Sequence, residues 1–169
     1  MKSALIDYIK RGPNDELYTP DYAIYPIIKY IPQNIKTIWC PFDKAESNFV
    51  KILQNNGYNV IFSHIENGED FFHFEPENYD MIISNPPYSA KKKIIKRCYE
   101  LNKPFALLLP ITSLEGISHG KMFKKYGIGA VILDKRIDFN GKGKCWFNTS
   151  YLIHHKLYDG KIFFEEIKK

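Results

Sequence analysis

The strongest constraint on this chain is a rhythm. Short apolar runs of four or five residues alternate with longer segments whose apolar residues recur at helical spacing. The runs are Thr37–Cys40, Asn59–Phe62, Tyr79–Ile83, Phe105–Leu109, Ala130–Leu133, Tyr151–His154 and Lys161–Phe164. Strands separated by helix-length connections cannot pair as hairpins, because the connection carries the chain back to its starting edge. They become parallel neighbours in one sheet. The pattern therefore predicts an α/β fold: a mixed, mostly parallel sheet of about seven strands with helices on both faces. Asp159-Gly160, between the last two runs, is a turn dipeptide and predicts that the chain ends in an antiparallel hairpin.

Between the first two runs, residues 43–56 read as a helix with Phe49, Val50, Ile52 and Leu53 on its buried stripe and Gly57 as its stop. Asp43 and Glu46 have capping-box spacing, which starts this helix immediately after the first strand. A helix opening there aims backbone N–H groups at whatever binds beyond the strand ends. Trp39 reads as core.

With 169 residues the chain has room for one sizeable core but not for an additional recognition domain of ordinary size. A single domain is expected, with residues 1–35 as a lead-in and 36–169 as the α/β core. Charges recur through the first residues and no apolar run reaches spanning length, which points to the cytoplasm and away from membranes. Cys40, Cys98 and Cys145 are odd in number and far apart, and the five histidines show no ligand spacing, so neither a disulfide framework nor a metal is expected. A formal charge of +5 is compatible with a polyanionic partner without requiring one.

Chemistry concentrates in Ser84-Asn85-Pro86-Pro87-Tyr88, which follows the third apolar run and precedes a helical pattern. Two consecutive prolines remove two backbone donors and fix two φ angles. The result is a stiff loop whose carbonyls can face outward. The side-chain oxygen of Asn85 and the carbonyl of Pro86 can accept both hydrogens of an exocyclic amine, and Tyr88 can offer its ring to a purine. Two acceptors on an amine whose lone pair is delocalised draw it toward a tetrahedral arrangement, which suits methyl transfer to nitrogen.

Asn85-Pro86-Pro87-Tyr88 resembles, at every position, the Asp/Asn/Ser-Pro-Pro-aromatic motif of the Rossmann-like N6-adenine methyltransferases. Further elements follow the family's order. Tyr18-Thr19-Pro20, within Asp15–Pro20, is similar to the N-terminal element that packs against the methionine end of the cofactor. Glu69-Asp70-Phe71 is similar to the element in which an Asp contacts the cofactor's adenine and an aromatic packs beside it. The resemblance spans roughly residues 15–153 and looks closest to compact bacterial or phage-borne members. It implies S-adenosylmethionine as cofactor, held by Tyr18, Thr19, Pro20, Pro41, Phe42, Asp43, Asp70 and Phe71. It also implies Asn85, Pro86, Pro87 and Tyr88 as the catalytic loop.

The sequence departs from that family in two places. Cys40 to Ser47 contains no glycine where the family has a glycine-rich loop, and Lys44 and Glu46 stand in it. No acidic residue ends the second strand, where Ser63, His64 and Glu66 are the nearest candidates for the ribose hydroxyls.

Lys91, Lys92 and Lys93 lie in the first turn of the helix after the proline loop, with Ser89 as the expected N-cap and Ile94, Ile95, Cys98 and Leu101 as the buried face. Cations oppose the macrodipole there unless a phosphate compensates. Lys135-Arg136 follows a later strand, and Lys142 and Lys144 flank glycines before Trp146 and Phe147, so residues 140–149 read as a basic loop ending in aromatics. The sequence thus supports an adenine N6-methyltransferase acting on nucleic acid, with DNA favoured. A methyltransferase-fold binding module that has lost its cofactor, or an enzyme acting on a glutamine amide, are the alternatives.

Overall fold

The computed structural model describes residues 18–139, 141 and 147–168. Its centre is a seven-stranded sheet of β1 (Thr37–Cys40), β2 (Asn59–Phe62), β3 (Met81–Ser84), β4 (Phe105–Pro110), β5 (Gly129–Leu133), β6 (Thr149–His154) and β7 (Ile162–Glu165). The spatial order is β2-β1-β3-β4-β6-β5-β7. Pairing is parallel throughout except at β6, which runs antiparallel to both β4 and β5. Every apolar run becomes a strand, and the expected α/β architecture is present. Burial follows position in the sheet. The central β3 and β4 are buried at every residue, whereas the edge strands β2 and β7 are half exposed.

Helices cover both faces. On one face, α1 (Tyr25–Ile28) and α2 (Asn48–Asn55) pack with Ile38, Ile83, Leu108 and Tyr151. On the other, α3 (Lys91–Glu100) and α4 (Ile117–Tyr126) pack with Trp39, Ile82, Leu107 and Leu152. The alternation of these residues between faces is the period of two along each strand. The described part of the lead-in is built into the core, since Ala23, Ile24 and Ile27 are fully buried and Tyr151 donates its hydroxyl proton to the Ala23 carbonyl at 2.8 Å. No described helix is long and apolar enough to cross a membrane.

Three local expectations are corrected. The chain does not end in a hairpin: β7 pairs parallel with β5, and β6 lies on the other side of β5. The turn at Asp159-Gly160 exists, with Gly160 at φ 77°, but Gly160 N–H bonds to Ile128 O and carries the chain past β5. Gly129 permits that crossing, because a Cβ there would lie 2.3 Å from the Tyr158 carbonyl oxygen. Second, α2 starts at Asn48, not Asp43. Ser47 is its N-cap, accepting from Val50 N–H at 3.3 Å, while Asp43 is engaged elsewhere. Third, Ala90 and not Ser89 occupies the N-cap position of α3. Ser89 belongs to the single 3₁₀ turn Tyr88–Ala90 that links the proline loop to the helix.

Candidate functional site

Parallel strands bring the loops after β1, β2, β3 and β4 to a common edge. Ser84–Tyr88 sits there, in the middle of the sheet, as the sequence pattern requires. Pro87 has φ −60° and ψ 120°, so the second proline holds extended backbone between β3 and the turn that opens α3.

Thr19 fixes the orientation of Asn85. The Asn85 Nδ2 donates to Thr19 Oγ1 at 3.1 Å, and the Thr19 carbonyl accepts from Asn48 Nδ2 at 2.9 Å. Thr19 is buried and Asn85 half-buried, so this contact is partly shielded from solvent. A carboxamide whose nitrogen is committed on one side presents its oxygen on the other. The Tyr-Thr-Pro element therefore orients the proline loop, a role that its sequence position 66 residues upstream does not reveal. Tyr18 is largely exposed, Pro20 half-buried. Asp15, Glu16 and Leu17 lie outside the described residues.

A second clamp holds the loops together from below. Asp43 accepts the Ser84 hydroxyl at 2.5 Å and the Ser47 hydroxyl at 2.7 Å, tying the loop after β1 to the end of β3 and to the cap of α2. Burial raises the Asp43 carboxyl from its ordinary 3.8 to about 6, and the two hydroxyl bonds offset only part of that shift. Asp43 stands in the expected cofactor segment, but its Ser84 partner is 41 residues away, so the clamp has no local sequence signal. The loop makes its turn without glycine. Within the described residues, positive φ occurs at glycines outside 41–47 and at Asn102, so Pro41 to Ser47 turn through ordinary backbone.

The remaining expected cofactor residues come from the segments after β1 and β2. Phe42 and Phe71 pack with centroids 5.0 Å apart, and Phe71 meets Trp39 at 5.3 Å, forming an aromatic wall between the loop after β1 and the segment after β2. Trp39 is fully buried, as expected. Asp70 caps the turn behind that wall, accepting from Phe72 N–H at 3.1 Å and contacting His73 Nδ1 at 2.8 Å. Ser63 is fully buried and accepts the Trp39 indole proton at 2.9 Å, so its hydroxyl serves the core. His64 caps a 3₁₀ turn by accepting Glu66 N–H, and Glu66 meets Lys44 at 2.7 Å across the gap between the loops after β1 and β2. Glu46 is exposed.

Tyr88 is half-buried. Phe147, from the end of the 140–149 loop, meets its ring edge to face at 5.5 Å. The structure thus brings an aromatic of that loop to the proline motif. Lys142, Lys144 and Trp146 lie outside the described residues. Lys91 is half-buried and Lys92 and Lys93 are exposed at the start of α3, directly beyond Tyr88. Lys135 and Arg136 lie past the end of β5 on the same edge of the sheet. Lys135 Nζ donates to the Ile167 carbonyl and Arg136 Nε to Asn148 Oδ1. No group of side chains suited to a metal occurs among the described residues.

No protein-family model matches the sequence, and no curated protein matches it. Solved structures do share its fold. A Listeria monocytogenes protein assigned as a class I S-adenosylmethionine-dependent methyltransferase superimposes with a TM-score of 0.60 at 13% identity, over 98% of this chain and 71% of its own. A Vibrio vulnificus YJ016 protein assigned as a modification subunit of a type I restriction enzyme superimposes with a TM-score of 0.51 at 12% identity, over 99% of this chain. The chain spans about half of that subunit, 51% of its length. Its fold is therefore the Rossmann-like fold of the S-adenosylmethionine-dependent methyltransferases.

Proposed function

We propose that the chain is an S-adenosylmethionine-dependent methyltransferase that modifies the N6 amino group of adenine in nucleic acid, with DNA the favoured substrate. The observation that carries this reading is the Thr19–Asn85 contact beside Pro86 at the carboxyl edge of the sheet. That contact commits the Asn85 amide nitrogen, which leaves its oxygen as the acceptor that, with the neighbouring Pro86 carbonyl, would take the two hydrogens of an exocyclic amine. The fold shared with methyltransferases and the likeness to a restriction-modification subunit support it further.

The residues at this edge would suit the cofactor once the Lys44–Glu66 pair opens. The half-buried Phe42, backed by the buried Phe71, would offer a flat surface to the purine of a nucleoside, with Asp70 near the ring and Glu66 nearest its hydroxyls. Tyr18, Thr19, Pro20 and the stretch Pro41–Asp43 would hold its other end. When bound, S-adenosylmethionine supplies an electrophilic methyl group. Asn85 and Pro86 accept the two amine hydrogens and hold the nitrogen in line, and Pro87 keeps the loop from relaxing. Tyr88 packs on the base, which must leave a duplex stack or be single-stranded to reach it. Phe147 meets the Tyr88 ring edge to face and would neighbour a base packed there.

One observation favours the non-catalytic alternative. The Lys44–Glu66 pair crosses the space between the loops after β1 and β2, where the nucleoside would lie. Titration calorimetry with S-adenosylmethionine separates the two readings. The enzymatic one expects binding below millimolar concentration and, with adenine-containing DNA, labelled N6-methyladenine after nucleoside digestion. Absence of both, with retained polynucleotide binding, would establish the binding module instead.

A further inference from the structure

On the face of the sheet opposite α2, helices α3 and α4 leave a cleft of about 340 Å³ between them. Lys92 and Lys96 line it from α3 and Lys121 from α4, all three exposed. Glu100 is the acidic residue in the lining, so the cleft carries a net positive charge. Tyr126 forms part of the wall. It is 44% exposed, and its ring stacks on that of Tyr99 with centroids 4.8 Å apart and planes 23° from parallel. Lys125 Nζ lies over the Tyr126 ring, 4.7 Å from its centroid, so a base stacking on Tyr126 would displace this flexible, exposed side chain.

Position relative to the proline loop gives the cleft its meaning. α3 begins one 3₁₀ turn after Tyr88, and both helices run from the carboxyl edge of the sheet back toward its amino edge. Lys92 therefore stands beside the candidate site, and Lys96 follows one turn further away on the same helix face. From Lys92 to Glu100 the helix rises about 12 Å, enough to follow a short stretch of a single strand away from the site. A row of cations ending at a partly exposed, supported aromatic ring is what a single nucleic-acid strand requires: charge for the backbone and a flat face for a base. A duplex offers its phosphates but no free base face, so it would leave Tyr126 unused.

We propose that the α3–α4 cleft holds the single-stranded segment flanking the target base, with phosphates at Lys92, Lys96 and Lys121 and one base against Tyr126. This rests on nucleic acid being the substrate. Lys96 now pairs with Glu100 at 2.6 Å, but an exposed pair within one helix is a weak competitor for a phosphate. Glu100 then marks where the track ends.

The test measures binding of a fluorescent single strand of about 12 nucleotides by anisotropy over a salt series. The wild type is compared with Lys96→Gln/Lys121→Gln, with Tyr126→Ala, and with Lys51→Gln/Lys156→Gln, an equal charge change on exposed residues outside the cleft. The cleft pair should lower the slope of log K against log salt by about 1.4, from about 0.7 per phosphate contact on a single strand. Tyr126→Ala should weaken binding about tenfold, and the control pair should match the wild type far more closely. If the wild type binds and either cleft variant behaves like the control, the cleft is not the track and the assignment of the substrate stands. If the wild type binds no polynucleotide, both fall.

Discussion

Replacing Asp43 by asparagine tests the clamp beneath the site through its pH dependence. In the folded chain burial holds this carboxyl at about 6, against an ordinary value of 3.8. A raised acid pKa means that ionisation is easier in the unfolded state, so the penalty is absent below 3.8 and grows until pH passes 6. At 1.36 kcal/mol per pH unit the full penalty is about 3 kcal/mol. Working the two titrations through leaves roughly half of it at pH 5 and nearly all of it at pH 7.5. Asparagine does not ionise, and it keeps an oxygen for one of the hydroxyls of Ser47 and Ser84. Whatever constant the substitution costs in hydrogen bonding is the same at both pH values. The stability of Asp43→Asn relative to wild type should therefore improve by about 1–2 kcal/mol between pH 5 and pH 7.5. Urea unfolding at the two pH values measures this directly. A difference that does not change with pH, or that changes in the opposite sense, would refute the buried clamp.

Gly129→Ala should destabilise by at least about 1–3 kcal/mol, because the new Cβ meets the Tyr158 backbone oxygen at 2.3 Å and backbone cannot step aside cheaply; thermal unfolding reads it. Ser63→Ala should cost about 1–3 kcal/mol by stranding the buried Trp39 indole N–H, with a change in tryptophan fluorescence as its signature. Thr19→Val removes the acceptor that orients Asn85. It should slow methyl transfer by about tenfold to a hundredfold, the cost of misplacing a reacting group, while S-adenosylmethionine binding measured by calorimetry changes much less.

Local pattern and nonlocal contact divide what could be read in advance. All seven strands were legible because each is a short apolar run whose neighbours are polar or turn-forming, and the sheet's direction followed from helix-length connections. The terminal hairpin was misread for a physical reason. Asp159-Gly160 specifies a turn, but a turn does not say whether the next strand returns beside β6 or crosses to the far edge of β5. The information lay in Gly127 and Gly129, whose missing side chains make room for Asp159 and Tyr158. The start of α2 shows the same limit. Asp43 and Ser47 are both good N-cap residues, and only Ser84, distant in sequence, draws Asp43 away. At the site, the proline motif was legible as rigid backbone ahead of a helix. The partner that orients its asparagine was not, since Thr19 arrives by tertiary packing of the lead-in.

The central claim is that Asn85 acts on the reacting amine, and its removal tests that most directly. Asn85→Ala leaves the two prolines and the loop after β1 in place while deleting one of two acceptors. Loss of one preorganised contact of this kind costs about 10²–10³ in rate, whereas polynucleotide affinity rests mainly on phosphate contacts and should hold. Transfer of labelled methyl from S-adenosylmethionine to adenine-containing DNA, measured beside the affinity of the same DNA, gives both quantities. The account predicts near-normal binding with transfer reduced by that factor; wild-type transfer rates in Asn85→Ala would contradict it.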